Sequence, residues 1–180
     1  FVIDMRSLPT GSTIQLDNIE FASIVGSATV NGGAGDNYAI GDDASQFISL
    51  GEGDDTLYGG DGDDTVGSAA GDDLLYGDAG DDSVDGGTGN DTVSGGTGDD
   101  SLAGGEGDDL IAGGIGRDVA SFAIDHDVAY VEDARTGGLV AGQGSDTVTN
   151  AEILVFADRT TVVTRDVVAT DEVDADLYLD

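Results

Sequence analysis

The chain has 180 residues, of which 38 are Asp or Glu against five Arg and no Lys, giving a formal net charge of −33 at pH 7. That balance excludes a nucleic-acid or phosphate-binding surface as the main business of the protein. The lack of Cys excludes disulfide and thiolate chemistry, and no apolar run reaches the roughly 18 residues of a membrane span. Residues 1–31 alternate in the manner of strands, with Ile14 and Leu16, Ile19 and Phe21, then Ile24 and Val30, broken by turns at Pro9-Thr-Gly11 and Asp17-Asn18. They are expected to form metal-free β coils that close the N-terminal end of the fold. The opening FVIDMRSLPTG has no basic region followed by an apolar stretch and no initiator Met. It is read as no secretory signal, and the chain as an excised or processed piece of something longer.

From Gly32 to Ser121 the sequence reads in nines: GGAGDNYAI, GDDASQFIS, LGEGDDTLY, GGDGDDTVG, SAAGDDLLY, GDAGDDSVD, GGTGNDTVS, GGTGDDSLA, GGEGDDLIA and GGIGRDVAS. Position six is Asp55, Asp64, Asp73, Asp82, Asp91, Asp100, Asp109 and Asp118 in the third to tenth repeats. Position eight is always apolar, from Ala39 through Leu75 to Ala120. Glycines at positions one, two and four permit a tight turn, and the last three residues can run extended with side chains alternating. Position eight should then face a core, with positions seven and nine facing out. Two repeats make one coil, so odd and even repeats lie on opposite parallel sheets. Dense like charge repels, so the fold needs counter-cations.

These residues match the motif G-G-x-G-x-D-x-hydrophobic-x, and the chain resembles the RTX (repeats-in-toxin) family, whose members bind calcium. The resemblance implies an all-β fold, a right-handed parallel β-roll, with Ca²⁺ between stacked turns on each edge. The ligands it implies are the position-six carboxylates and the turn carbonyls of Gly53, Gly62, Gly71, Gly80, Gly89, Gly98, Gly107 and Gly116. Stacked turns pair Asp55 with Asp73, Asp64 with Asp82, Asp73 with Asp91, Asp82 with Asp100, Asp91 with Asp109 and Asp100 with Asp118. That makes about six strong sites. Two weaker ones would use Asn37 with Asp55 and Gln46 with Asp64, because neutral amides are poorer ligands than carboxylates. Position five, mostly Asp (Asp54, Asp63, Asp72, Asp81, Asp99, Asp108), is expected to face solvent.

After Ser121 the period stops. Val119–Ile124, Asp127–Val131, Leu139–Ala141, Ile153–Phe156 and Thr160–Val163 read as short strands, and Gly137-Gly138 and Gly142–Ser145 as turns. The run GQGSDTVTNAEILVFADRTTVV is similar to the segment that comes after arrays of this family, with Arg159 where a Gly is usual. Residues 122–166 are expected to be a C-terminal β cap. Residues 167–180 are an acidic tail, a linker or part of a type I secretion signal.

An enzyme is not expected. His126 is the only His, and neither a G-x-S-x-G elbow nor an H-E-x-x-H zinc motif occurs. Arg117 and Arg135 are read as tying the cap to the last turn. The reading is a calcium-binding module, secreted or at the surface of a Gram-negative bacterium through type I secretion machinery. It would fold on calcium and stabilise or position part of a surface-layer, adhesin or exoprotein. The alternative is the C-terminal folding domain of a secreted hydrolase whose catalytic domain lies elsewhere. Outward positions of the odd sheet carry a stripe of Tyr38, Ile40, Tyr58, Leu74 and Tyr76. The Tyr58/Leu74/Tyr76 face is expected to pack on the cap, a neighbouring domain or a second copy, and to be less exposed than Thr65, Ser83 and Asp85.

Overall fold

The computed structural model describes residues 2–4, 6, 12–16, 22–27, 29–122, 130–131, 139–141, 144–149, 151, 153–155 and 160–162. The expectations for 167–180, His126, Arg135 and Arg159 lie outside them. The described residues form strands and no helix. The strands before the array are β1 (Val2–Asp4), β2 (Thr13–Leu16), β3 (Ala22–Val25) and β4 (Thr29–Gly32). Those of the array are β5 (Tyr38–Ile40), β6 (Phe47–Ser49), β7 (Thr56–Asp61), β8 (Thr65–Gly67), β9 (Leu74–Ala79), β10 (Ser83–Thr88), β11 (Thr92–Thr97), β12 (Ser101–Glu106), β13 (Leu110–Ile115) and β14 (Val119–Ser121). After it come β15 (Tyr130–Val131), β16 (Leu139–Ala141), β17 (Gly144–Thr149), β18 (Ile153–Val155) and β19 (Thr160–Val162).

Consecutive strands of the array fall on alternate sheets, which makes the architecture a two-sheet β-solenoid. One sheet runs β1-β3-β5-β7-β9-β11-β13-β17-β16-β15 and the other β19-β18-β14-β12-β10-β8-β6-β4-β2. Through the array all pairs are parallel and each residue faces the one 18 positions on, as in Leu57 opposite Leu75 and Leu75 opposite Val93. A nine-residue period, taken twice per coil, gives that register. Position eight therefore falls in one line inside each sheet, and all ten of these residues are buried, Leu57, Leu75, Val93 and Ile111 completely. Burying such a side chain contributes roughly 1.5–3 kcal/mol. The core continues into Ile24 and Val30 before the array and into Val148 and Leu154 after it.

The turns are shorter than the glycine pattern suggests. In the central repeats the first three positions are extended too, so β7 and β9 to β13 are six residues long. Backbone bonds to the neighbouring coils hold this stretch: the Asp61 N–H donates to the Asp42 carbonyl (2.9 Å) and the Gly62 N–H to the Ala79 carbonyl (2.7 Å). Those bonds leave only positions four to six to reverse the chain. Gly142–Ser145, read as a turn, in fact includes the start of β17. There β17 stacks in parallel on β13 and β18 on β14. The sheets then end on antiparallel pairs, β16 with β17 and β18 with β19.

Candidate metal centre

Position six lies where the turn re-enters the strand, so its side chain points between coils instead of outward. The structure brings Asp55, Asp73, Asp91 and Asp109 into one ladder and Asp64, Asp82, Asp100 and Asp118 into another, one on each edge, all at most 3% exposed. Each Oδ1 accepts the backbone N–H of the ladder residue one coil earlier, at 2.7–3.1 Å, as in Asp64 N–H to Asp82 and Asp82 N–H to Asp100. Each carboxylate is thereby fixed through one of its two oxygens.

That second oxygen is the telling one. Oδ2 of Asp64, Asp73, Asp82, Asp91, Asp100 and Asp109 is buried with no hydrogen-bond partner. A buried polar atom without a partner costs about 1–3 kcal/mol, and more when charged. Burial accordingly pushes the Asp82 and Asp91 carboxyls up to about 7 and Asp64 up to about 6, with neighbouring carboxylates adding to the rise and the backbone hydrogen bond opposing it. Asp55 differs, because Ser68 stands at position one of its stacked repeat and its hydroxyl donates to Asp55 Oδ2 (3.1 Å). Burial still raises its carboxyl.

Two glycine positions shape the cradle. A Cβ on Gly59, at position one, would fall 2.6 Å from Asp64 Oδ2 and 2.7 Å from the Gly77 carbonyl, so the missing side chain makes room for the carboxylate. Position four needs positive φ, 137° at Gly80, and its carbonyl lies against the position-four glycine of the next coil, where a Cβ on Gly80 would collide with the Gly62 carbonyl. Among the described residues, none donates a hydrogen bond to the carbonyls of Gly53, Gly62, Gly71, Gly80, Gly89, Gly98 or Gly107. Gly116 has the same backbone, at φ 154°.

The amide at the start of the odd ladder shows what these groups require. Asn37 takes the place of an Asp, and its Nδ2 donates to the position-four carbonyl of Gly35 at 2.7 Å. At the head of the other ladder Gln46 Nε2 donates to Asp42 Oδ1. At Asn37, where the side chain is neutral, an N–H supplies the positive end that the position-four carbonyl lacks elsewhere. Asn37 is thus brought to the expected place but is engaged within its own turn.

Position five forms a second ladder of opposite direction. Oδ1 of Asp54, Asp63, Asp72, Asp81 and Asp99 accepts the backbone N–H of the following coil at 2.8–3.1 Å. This ladder lies on the solvent side of the turns, as the alternation requires. Arg117 is exposed as well, and its N–H donates to Asp99.

The period had not singled out Asp146. It is 5% exposed, its Oδ1 accepts the Asp109 N–H at 3.1 Å, and burial lifts its carboxyl to about 6. The signal was present as G-S-D-T-V-T, which repeats positions four to nine, but it stands 37 residues after Asp109 instead of 18.

Among the described residues no three His, Cys, Asp or Glu side chains converge on one point. Carboxylates alone would not complete a coordination shell, and backbone carbonyls are needed beside them. Oxygen-only donors, anionic and carbonyl, suit a hard cation that takes six to eight ligands, as Ca²⁺ does. The family model described as RTX calcium-binding nonapeptide repeat (4 copies) matches this chain in three overlapping stretches, residues 40–74, 68–93 and 85–120. These are RTX repeats. No curated protein matches the chain.

The RTX array is a structural calcium-binding fold. Its odd face carries the expected stripe. Tyr58, Leu74 and Tyr76 are half-buried while Thr65, Ser83 and Asp85 are exposed. The rings cover one another, with Tyr58 and Tyr76 stacked at 4.8 Å and Tyr38 tilted against Tyr58 at 6.0 Å. No helix of the described residues is long and apolar enough to cross a membrane.

Proposed function

We propose that the two inner ladders hold Ca²⁺, each ion between stacked position-six carboxylates and position-four glycine carbonyls, in about six sites. The observation that carries this reading is the row of buried Oδ2 atoms without partners. Asp64, Asp82 and Asp100 with Asp118 serve one edge, and Asp55, Asp73, Asp91 and Asp109 the other. With −33 charges in 180 residues, about six divalent ions cancel about twelve charges where they lie densest. The chain without metal does not fold, and calcium folds it cooperatively, because each inner carboxylate is shared by two neighbouring sites.

The RTX family is typically associated with secreted bacterial proteins, and secretion fits this reading. Affinities in the range of extracellular modules, on the order of 10⁻⁴–10⁻³ M, keep the chain unfolded at cytosolic calcium and fold it once outside. Passage through a type I secretion system suits an unfolded chain. The folded module then stabilises or positions part of a surface-layer, adhesin or exoprotein, with residues 1–31 as metal-free coils and 122–166 as the closing segment.

The test is a calcium titration monitored by far-ultraviolet circular dichroism, with bound ions counted by equilibrium dialysis. Strand content should rise with calcium, and about six ions should be held at saturation. Full strand content in excess chelator at neutral pH, or no retained calcium, overturns the proposal.

A further inference from the structure

We infer that Asp109 and Asp146 form one more calcium site, lying beyond the repeats, which staples residues 144–155 onto the last coil of the array. The inference rests on the calcium reading of the array and extends it past the residues that the RTX model matches.

The first support is the register. β17 lies on β13 with Thr147 opposite Leu110, Val148 opposite Ile111 and Thr149 opposite Ala112. β13 lies on β11 in the same way, with Leu110 opposite Thr92 and Ile111 opposite Val93. Asp146 therefore stands to Asp109 as Asp109 stands to Asp91. The hydrogen bonds agree: the Asp91 N–H donates to Asp109 Oδ1 at 2.9 Å, and the Asp109 N–H to Asp146 Oδ1 at 3.1 Å. Val148 takes the core place of a position-eight residue and is buried. The spacing is 37 residues instead of 18, while the register is kept.

The ligand is indicated separately. Asp109 is 3% exposed and its Oδ2 has no partner, while Asp146 brings a second buried carboxylate to the same step of the ladder. Two carboxylates held together out of water repel unless a cation lies between them. Gly107, whose carbonyl receives no hydrogen bond from the described residues, is the neighbouring carbonyl donor. The consequence is a calcium-dependent junction. Strand pairing and the burial of Val148 bring β17 to the array, but the last odd coil closes fully only when the ion is present.

Asp146→Asn in the full chain tests this. Asn37 occupies the same kind of ladder position within the fold, so the variant should fold. Equilibrium dialysis at saturating calcium should find one ion fewer than in the wild type. Amide exchange in residues 146–149 should speed up about tenfold, while β9 to β12 stay protected. Loss of no ion, or loss of the whole set, overturns the inference. In the wild-type chain, protection of residues 146–149 should track calcium; protection that persists in excess chelator overturns it independently of the variant. A wild-type chain that binds no calcium at all overturns the calcium reading and this site with it, a different result from wild-type binding that Asp146→Asn leaves intact.

Discussion

Asp81 and Asp82 are neighbours in sequence and have opposite environments. Both belong to ladders with an 18-residue step, and both accept a backbone N–H through Oδ1. Asp81 accepts from the following coil and is exposed; Asp82 accepts from the preceding coil and is buried. One residue of offset at the turn's exit decides which carboxylate keeps its water and which must find a cation. A carboxylate row is therefore not a metal site by composition. The inner row qualifies because its second oxygen is dry.

The largest effect should come from titrating the inner row as a whole. Asp64, Asp82 and Asp91 have folded values of about 6 to 7, above the ordinary 3.8. The folded chain thus binds protons more tightly than the unfolded one. Without calcium, the roll is favoured below about pH 4 and loses that support as pH rises through about 6 to 7. In excess chelator, strand content by circular dichroism should rise as pH is lowered from about 8 to about 4.5. An unchanged spectrum would contradict the burial of the row. Protons compete with calcium for the same oxygens, so calcium binding should weaken as pH falls below about 7.

Next comes the pair itself. Asp82→Ala removes a ligand shared by two stacked sites and should cost about 2–4 kcal/mol of folding free energy in calcium. Asp81→Ala removes one exposed hydrogen bond and should cost about 0.5 kcal/mol or less. Asp55→Ala, at the edge of the row and already engaged by Ser68, should fall between them. Equal calcium midpoints for Asp82→Ala and Asp81→Ala would erase the distinction between the ladders.

Much of this was legible in the residues themselves. The period dictated strand order, the buried line from Ala39 to Ala120 and the eight inner Asp, because position within nine residues determines side-chain direction. It could not show the turn's true length, since glycines at positions one and two serve an extended strand as well as a bend. Nor could it show that the ladders' hydrogen bonds run in opposite directions, which depends on coil-to-coil stacking. Asp146 escaped because its phase is broken by intervening residues although its register is not.

A smaller effect should come from restoring charge at the head of a ladder. Asn37→Asp exchanges the amide that satisfies Gly35 for a carboxylate beside Asp55, and should add about one bound ion to the odd edge. Dialysis showing the wild-type count would mean that the array's end, and not the amide, limits the row. A change in the stabilising direction concerns Asp78, at position two, which has φ 76° where Gly60 and Gly96 pair beside it. Asp78→Gly should stabilise the folded chain by about 1 kcal/mol, read as a lower calcium midpoint.

The stacked rings of Tyr58 and Tyr76 give the molecule an optical gauge of its own. There is no Trp, and Tyr38, Tyr58 and Tyr76 are three of only five Tyr. The 4.8 Å between the centroids of Tyr58 and Tyr76 matches the spacing of adjacent hydrogen-bonded strands. Electronic coupling between those rings therefore exists only when two successive odd coils are in register. Near-ultraviolet dichroism of the unlabelled chain reports coil registry at that one step, while far-ultraviolet dichroism averages over every strand.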